Sequence, residues 1–476
     1  MSSDAKNEGK SGIVLINLAA KTAKKNNARI YLTGGYLRDS LLQKEVISDI
    51  DFVVYGNAKK TAKAFAKAAK GTLVELSDAF NIYRVVCKGE YICDFSKGRG
   101  KTIEEDLKER DFTVNALAKE VNSEEIIDIF GGIRDLRNGI IRETTGKAVY
   151  KKDPLRLLRA VRFAATLNFK LAPKTAKNIK SMAGLISRPA KERVRDELFK
   201  LFTSERSAEY IILLDKLRLL EKIFPIIMKM KGVSQPGFHH LDVFDHSIES
   251  LNKLEELYAS LDFNLPIEIK TFIRERMKQK SGQFDRSTFL KLVVLLHDSG
   301  KPGTKSKDKK GTHFYTHELA GAENFKIIGK QLKLSNDEIN TGMKVIKCHL
   351  RTGYLAGLKK ISKRAVYKFF RDTDRESTEV LLLSWADRLS ARGVKVDKKT
   401  LSVHKKVIET LFKEYYKIST ETKESQLLNG HDIMKHFKLP PSPTIGKLLE
   451  KAKEAQATGK AKTKNEALKL IKKFIK

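Results

Sequence analysis

The chain has 476 residues, 41% of them hydrophobic, and a formal charge of +35 from 93 Lys and Arg against 58 Asp and Glu. That hydrophobic share excludes wholesale disorder, the length suits several modules, and the cation excess points to a polyanionic partner, nucleic acid before membrane. Cys87, Cys93 and Cys348 lack paired spacing, which argues against a disulfide scaffold or a structural zinc cluster and fits a reducing cytoplasm; Met1 to Lys10 is polar and mixed in charge, unlike a signal peptide, and no apolar run approaches membrane length.

After a disordered start over 1–12, Arg29 to Thr33 reads as a short strand and Leu37 to Leu42 as a helix start. Gly34 and Gly35 then sit where a strand turns into a helix, with backbone N–H groups facing outward and an anion favoured there. In Asp49-Ile50-Asp51-Phe52-Val53-Val54 the side chains alternate, so Asp49 and Asp51 share one face while Ile50 and Phe52 point into a core. Two carboxylates that close repel each other unless a cation lies between them. Magnesium suits, because it takes one or two carboxylates and completes its shell with water and substrate phosphates. Further strands are expected at Thr72 to Leu76, Ile82 to Cys87 and Tyr91 to Phe95. Asp94, near the end of the last, is a candidate third carboxylate or equally a strand-end cap.

Residues 13–145 therefore form a head with a mixed sheet and helices, and the fold class is α+β. From Asp153 onward helical periodicity dominates, with Gly and Pro confined to breaks such as Gln235-Pro236-Gly237 and Lys301-Pro302-Gly303. The divisions expected are a helical neck over 146–232, a histidine-rich region over 233–400, and a basic helical C-terminal region over 401–476. Seven of the ten histidines lie between His239 and His349. Ile445 to Lys476 is lysine-rich and amphipathic.

Three further segments, Glu109-Arg110-Asp111-Phe112-Thr113-Val114-Asn115, Asp153-Pro154-Leu155-Arg156-Leu157-Leu158-Arg159 and Glu192-Arg193-Val194-Arg195-Asp196-Glu197-Leu198, stand in the order and spacing of a known set of motifs. Together with the segments above they resemble the bacterial class II tRNA nucleotidyltransferases and their poly(A) polymerase relatives. The resemblance implies a polymerase beta-like head, transfer of CMP and AMP from CTP and ATP to the 3′ end of tRNA without a nucleic-acid template, and no membrane or obligate protein partner. It implies that Asp49 and Asp51 hold catalytic magnesium, that Gly35 and Arg38 meet the triphosphate beside Gly34, and that Arg110 and Asp111 sense the ribose with Asn115 nearby. Asp153 and Arg156 match the base-recognising pair, and Arg159 a further nucleotide contact.

The base-reading pair has its own logic. Cytosine and adenine present an amine donor beside a ring-nitrogen acceptor, whereas guanine and uracil present a carbonyl beside a ring N–H. A carboxylate only accepts and a guanidinium only donates, so one of each, three residues apart on a helix and hence on neighbouring surface, accepts C and A and leaves G or U unpaired.

Departures from the family pattern are local. Only Phe95 to Thr102 separates Asp94 from Ile103, where full CCA-adding members generally carry a longer loop that helps the site switch from C to A. CC addition alone is therefore an alternative, as is poly(A) addition. Glu109 stands where many relatives have another Arg, and Lys152 where some have an acid. In the histidine-rich region His246, His297, Asp298 and Asp387 resemble the metal ligands of an HD phosphohydrolase, with His317 and His349 where a second metal would find extra ligands. Nitrogen and carboxylate donors together suit a divalent transition metal, and Lys301 would attract phosphate. His239 and His313 are expected on the surface, and His404, His431 and His436 outside any ligand set. A reading from another class makes the protein mainly an HD phosphohydrolase with an RNA-binding front half.

Overall fold

The computed structural model describes residues 3–44, 48–77, 81–87, 91–123, 125–235, 241–309, 311–391, 397–420 and 426–475. Met1–Ser204 with Leu213–Ile223 forms one compact unit, and Glu205–Ile212 with Phe224–Lys476 a second. The expected head and most of the expected neck lie in the first.

In the first unit the chain begins with α1 (Ser3–Lys25), where a disordered start over 1–12 was expected. Ile16, Ala19, Ala20 and Ala23 recur at helical spacing and are buried, so one face of α1 is anchored to a core. Next come β1 (Arg29–Thr33) and α2 (Gly34–Leu41), which starts at Gly34 rather than Leu37. They are followed by β2 (Asp49–Tyr55), α3 (Ala58–Ala69), β3 (Thr72–Ser77), β4 (Ile82–Val86), β5 (Ile92–Lys97) and α4 (Ile103–Lys108). The short strands β6 (Ala118–Glu120) and β7 (Ile126–Ile127) complete one seven-stranded sheet, ordered β3-β4-β5-β2-β1-β6-β7. Only β2 and β5 pair in parallel; every other pairing in this sheet is antiparallel.

The alternation in β2 decides what each face carries. Ile50, Phe52 and Val54 pack with Phe65, Phe95 and the buried side of α1. Val53, on the opposite face, packs with Tyr31, Ile103, Leu107 and Ala116. Asp49 and Asp51 belong to that second face, at the end of the strand where the apolar packing stops. Beyond the sheet run α5 (Gly132–Arg137), α6 (Ala148–Lys152), α7 (Arg156–Leu167), α8 (Pro173–Met182) and α9 (Lys191–Phe202). The interior face of α7, with Leu157, Leu158 and Val161 fully buried, fixes which way Arg156, Arg159 and Arg162 point.

The second unit is almost wholly helical, apart from two short antiparallel pairs, Lys280–Ser281 with Phe284–Asp285 and Ser306–Asp308 with Gly311–His313. Its centre is the apolar helix Arg286–Leu296, in which every residue from Leu292 to Leu296 is fully buried. The expected helical tail is two helices, Pro443–Ala457 and Lys464–Lys472, which with Gly430–Phe437 close over a cluster containing Ile433, Leu448, Ala467 and Ile471. Among the described residues, no helix is long and apolar enough to cross a membrane.

Candidate active site and candidate metal centre

The register of the sheet brings Asp51 level with two other groups: Thr33 across the antiparallel β1 pairing and Asp94 across the parallel β5 pairing. Asp94 therefore stands in mid-strand, not as a strand-end cap, and Arg84 on β4 grips it through Nε and Nη2 at 2.8 Å each. Asp51 Oδ2 accepts the backbone N–H of Gly35 at 3.2 Å. Gly34 has φ +67°, and a Cβ there would lie 2.7 Å from Asp51 Oδ2, so only glycine lets the start of α2 approach this carboxylate. Burial first, then the charges of Asp94 and Asp49, raise the Asp51 carboxyl above its ordinary value, against the Gly35 amide and Arg110. An oxygen-only donor set of mutually repelling carboxylates is what a divalent hard cation relieves, so these residues fit magnesium.

A cavity of about 740 Å³ opens on this cluster. Its floor carries Thr33, Gly34, Gly35, Asp51 and Asp94, and its other wall Arg110, Asp111, Asn115, Asp153, Arg156 and Arg159. Asp49 precedes Asp51 on the same face but stands exposed at the start of β2, outside this lining.

One continuous polar chain holds the wall. Arg38 Nη1 donates to Asn115 Oδ1 at 2.8 Å, Asn115 Nδ2 to Asp111 Oδ1 at 3.0 Å, and Arg159 Nε and Nη2 to Asp111 Oδ2 at 2.9 and 2.7 Å. Arg162 Nε and Arg159 Nη1 then meet Glu197 at 2.9 and 3.5 Å. Burial alone would raise the Asp111 carboxyl; Arg159, Asn115 and Arg156 outweigh it and hold the group below the usual carboxylate range. Both edges of the Arg38 guanidinium are occupied, Nε and Nη2 by Asp39 at 2.9 Å each, so in this arrangement Arg38 orients Asn115. Arg110 donates to Thr33 Oγ1 at 3.1 Å and to Asp106 Oδ2 at 3.0 Å.

Asp153 and Arg156, the expected base-reading pair, are placed differently from expectation. Asp153 is not on a helix with Arg156: it has φ −140°, ψ 100° and sits between α6 and α7. Pro154 follows it, and the residue before a proline is driven out of the helical region. The two side chains line the same cavity but do not bond to each other. Asp153 Oδ2 accepts Arg193 Nη2 at 2.9 Å, and Arg156 Nη2 donates to the Glu109 carbonyl at 2.9 Å. Glu109 and Lys152, the two departures from the family pattern, form an ion pair with each other.

Sequence reasoning did not assign Thr33, Asp106, Arg193 or Glu197. Arg193 and Glu197 lie within a motif segment and share a helix with its apolar side. Nothing local signals that one points at Asp153 and the other at Arg162.

In the second unit a separate cluster forms in the core. His246 Nε2 lies 2.9 Å from Asp387 Oδ1 and 3.5 Å from Asp298 Oδ2, and His297 Nε2 lies 3.3 Å from Asp298 Oδ2. His246, His297, Asp298 and Asp387 form one group able to hold an ion, and Asp298, His317 and His349 a second that shares Asp298. The Nδ1 atoms of His297, His317 and His349 each meet the carbonyl three residues earlier, at 2.7, 2.7 and 2.6 Å, and His246 Nδ1 meets Ser390 Oγ at 3.0 Å. This fixes the tautomers so that Nε2 faces the cluster. His297 Nε2 and His317 Nε2 are buried without a hydrogen-bond partner, and the buried Asp298 carboxylate between them is met by ion pairs from His246, His297, His317 and Lys301. Imidazole nitrogens and carboxylate oxygens converging in one buried cluster fit a divalent transition metal.

Burial opposes a charge on His297, yet Asp298 and Asp387 push it up to about 10; His349 is pushed down to about 4 by burial and then by His297. Lys301 Nζ meets Asp298 Oδ2 and Gln235 Oε1, each at 2.5 Å. A cavity of about 730 Å³ reaches the cluster at His317, His349 and Asp387, and its lining includes Lys301, Tyr315 and Arg388. His313 pairs with Asp308 at 2.8 Å and stacks on Tyr315, whereas the buried His404 bonds to Thr352 at 3.0 Å. His239 lies outside the described residues.

Family models match in chain order. The Poly A polymerase head domain covers 30–101 and 93–142, the Probable RNA and SrmB- binding site of polymerase A covers 168–230, and tRNA nucleotidyltransferase domain 2 putative covers 314–471. The A-adding tRNA nucleotidyltransferase of Deinococcus radiodurans is 30% identical over 93% of this chain and 95% of its own length. The chain belongs to the bacterial tRNA nucleotidyltransferases. A CC-adding tRNA nucleotidyltransferase of Thermus thermophilus is 28% identical over 91% of both chains. Among solved structures, a CCA-adding enzyme in complex with ATP shares the fold, with a TM-score of 0.68 at 23% identity over 98% of this chain and 96% of that one. The chain is thus a nucleotidyltransferase, and the head-domain family match spans most of the residues that line the head cavity.

Proposed function

We propose that this nucleotidyltransferase adds CMP and AMP from CTP and ATP to the 3′ end of tRNA in the cytoplasm, building CCA without a nucleic-acid template. One observation carries this reading: Asp51 and Asp94, level on neighbouring strands, and the Asp153 and Arg156 side chains line a single cavity of about 740 Å³. Asp49 and Asp51 are the residues that would hold magnesium, with Asp94 beside them. Magnesium, when bound there, supplies charge to the triphosphate and to the attacking RNA 3′-hydroxyl. The protein's own part is positioning. Arg110 supplies positive charge beside Asp51; the Arg38–Asn115–Asp111–Arg159 chain sets the ribose wall; Asp153 and Arg156 offer the base one acceptor and one donor. The 3′-hydroxyl oxygen attacks the α-phosphorus, and pyrophosphate leaves.

The test uses purified protein, magnesium, labelled CTP or ATP, and tRNAs ending before CCA, after C, or after CC. Incorporation of CMP onto the shortest tRNA, then AMP onto the one ending in CC, is the expected result. Long A tails on unrelated RNA would overturn it. A second reading, addition of CC alone, is favoured by the connection after β5. It is only Gly98 to Thr102, and it is tied down: the Tyr55 hydroxyl donates to the Arg99 carbonyl at 3.2 Å, and a Cβ on Gly98 would meet the Tyr55 ring at 2.4 Å. Absence of AMP transfer to the tRNA ending in CC selects that reading.

For the second unit we propose an HD-type phosphohydrolase centre at His246, His297, Asp298 and Asp387, with His317 and His349 at a second ion. The converging Nε2 and Oδ atoms support it. A metal held there would supply an activated water, and Lys301 and Arg388 would hold the phosphate of a phosphomonoester or a 2′,3′-cyclic phosphate. Metal content measured on the purified protein tests this directly.

A further inference from the structure

A second cavity of about 650 Å³ adjoins the nucleotide cavity in the same unit and shares Arg99, Asp153 and Arg156 with it. Its lining is strongly biased in charge: Arg99, Lys151, Lys152, Arg156, Arg188 and Arg193 face a lone acid, Asp153. Among the described residues, Arg99, Lys151 and Arg188 show no ion pair, and all three are exposed. The lone acid is also the proposed base-reading acceptor, and Arg193 occupies one of its oxygens at 2.9 Å.

We propose that this groove takes the backbone phosphates of the single-stranded 3′ end of the RNA, and that a phosphate drawing Arg193 away frees Asp153 to accept the base amine. The inference rests on the nucleotidyl-transfer reading and adds to it a route for the RNA and a coupling between RNA and nucleotide. The geometry supports both halves. A groove with a net excess of cations, opening where the base must be read, attracts phosphate and carries no base information of its own. Arg193, 54% exposed against 29% for Asp153, is held by an ion pair near the surface, weak enough for a phosphate to replace. Arg188 and Arg193 also fall within the segment that matches an RNA-binding family model.

Coupling of this kind is reciprocal, so RNA must tighten nucleotide binding as much as nucleotide tightens RNA. The experiment uses the full chain, a tRNA lacking its CCA end, and a CTP analogue with a methylene between the α- and β-phosphorus, which binds without transfer. RNA affinity is measured across a salt series for the wild type, Arg188→Gln, Lys151→Gln and, as a charge-matched control on the exposed side of α3, Lys63→Gln. Each groove variant is expected to lower the slope of log affinity against log salt by about 0.7; the control is expected to leave it unchanged. An unchanged slope in both groove variants, or an equal loss in the control, overturns the proposed route.

For the latch, Arg193→Gln is expected to bind the CTP analogue about two- to five-fold more tightly without RNA, and to gain nothing further when RNA is added. Loss of a cation near a triphosphate would by itself weaken binding, so the sign is decisive. Unchanged or weaker RNA-free binding in Arg193→Gln overturns the latch. Wild-type protein that transfers no CMP to the shortened tRNA would sink the function itself. Wild-type protein that transfers normally while the variants fail these measurements sinks only this inference.

Discussion

The two candidate sites solve opposite problems with similar residue types. In the head, the charged groups answer one another: Arg84 holds Asp94, Arg159 holds Asp111, Arg193 holds Asp153. That wall is pre-set for a ligand that is itself charged and arrives from solvent. In the second unit histidine and carboxylate atoms crowd together in a buried core, and His297 Nε2 and His317 Nε2 lack a hydrogen-bond partner. Charged groups that satisfy each other, as on that wall, present a fixed surface to a substrate, whereas the carboxylates on the strand face repel one another and suit a cation. In the buried cluster of the second unit a desolvated imidazole nitrogen without a partner is costly, and an ion would relieve it.

Breaking the head should therefore abolish transfer without disturbing the histidine cluster. Asp51→Ala removes a carboxylate from the strand face that would carry magnesium, and CMP incorporation is expected to fall on the order of 10³-fold. Circular dichroism and the metal content of the second unit should stay as in the wild type. Retention of transfer within tenfold would show that Asp51 is not at the reacting centre.

The polar chain of the head is also structural. Asp111→Ala leaves Arg159 facing a pocket it cannot leave easily, and breaking a buried pair of this kind costs about 3 kcal/mol, at the low end because Arg159 is about a third exposed. The sign with pH follows from the lowered Asp111 carboxyl. Its contribution is present above the unfolded value near pH 4 and is lost as pH falls through the lower folded value. Unfolding midpoints of the first unit, followed from pH 7 to 3, should drop more steeply in the wild type than in Asp111→Asn. Parallel curves would mean that Asp111 carries no charge linkage.

For the histidine cluster the lever is the ion. A metal that binds only the folded state adds about 2.7 kcal/mol at a hundredfold excess over its Kd. Chelation is expected to lower the melting temperature of the second unit and leave CMP transfer unchanged. His297→Ala should reduce bound metal per chain with transfer intact; loss of transfer alongside metal would show that the two centres are coupled.

Much of this was legible in the sequence, for reasons that differ by residue. Strand alternation alone placed Asp49 and Asp51 on one face, because period two leaves no other arrangement. Leu292 to Leu296 announced a buried helix that would carry His297 and Asp298 into a core. The Asp153–Arg156 spacing does not carry helical period, because Pro154 holds Asp153 in an extended conformation. The first turns of α1 are polar, so 1–12 reads as disordered, and the apolar face that anchors the helix begins only at Leu15. Arg84 on Asp94 and Arg193 on Asp153 were invisible for a plainer reason: each depends on a strand or helix neighbour that only the tertiary fold supplies.

The smallest effect concerns Glu109 and Lys152. Each departs from the family pattern in sign of charge, and in the fold the two form one ion pair. Reversing both charges keeps an attraction, whereas reversing one alone sets like charges together, so two separate departures become one compensated exchange. Lys152 is 56% exposed and Glu109 36%, which limits the pair to about 0.2–1 kcal/mol. Its position gives that small energy a use, since the Glu109 carbonyl accepts Arg156 Nη2 at 2.9 Å and so orients the proposed base-reading donor. Glu109→Arg and Lys152→Glu are each expected to lower kcat/KM for CMP transfer two- to five-fold, within what such a pair can supply, and the double variant to recover most of the loss. Discrimination against UMP should follow the same pattern if Arg156 is what moves. A double variant as poor as the sum of the two singles would mean that the contact is incidental, and that Arg156 is positioned by its own helix alone.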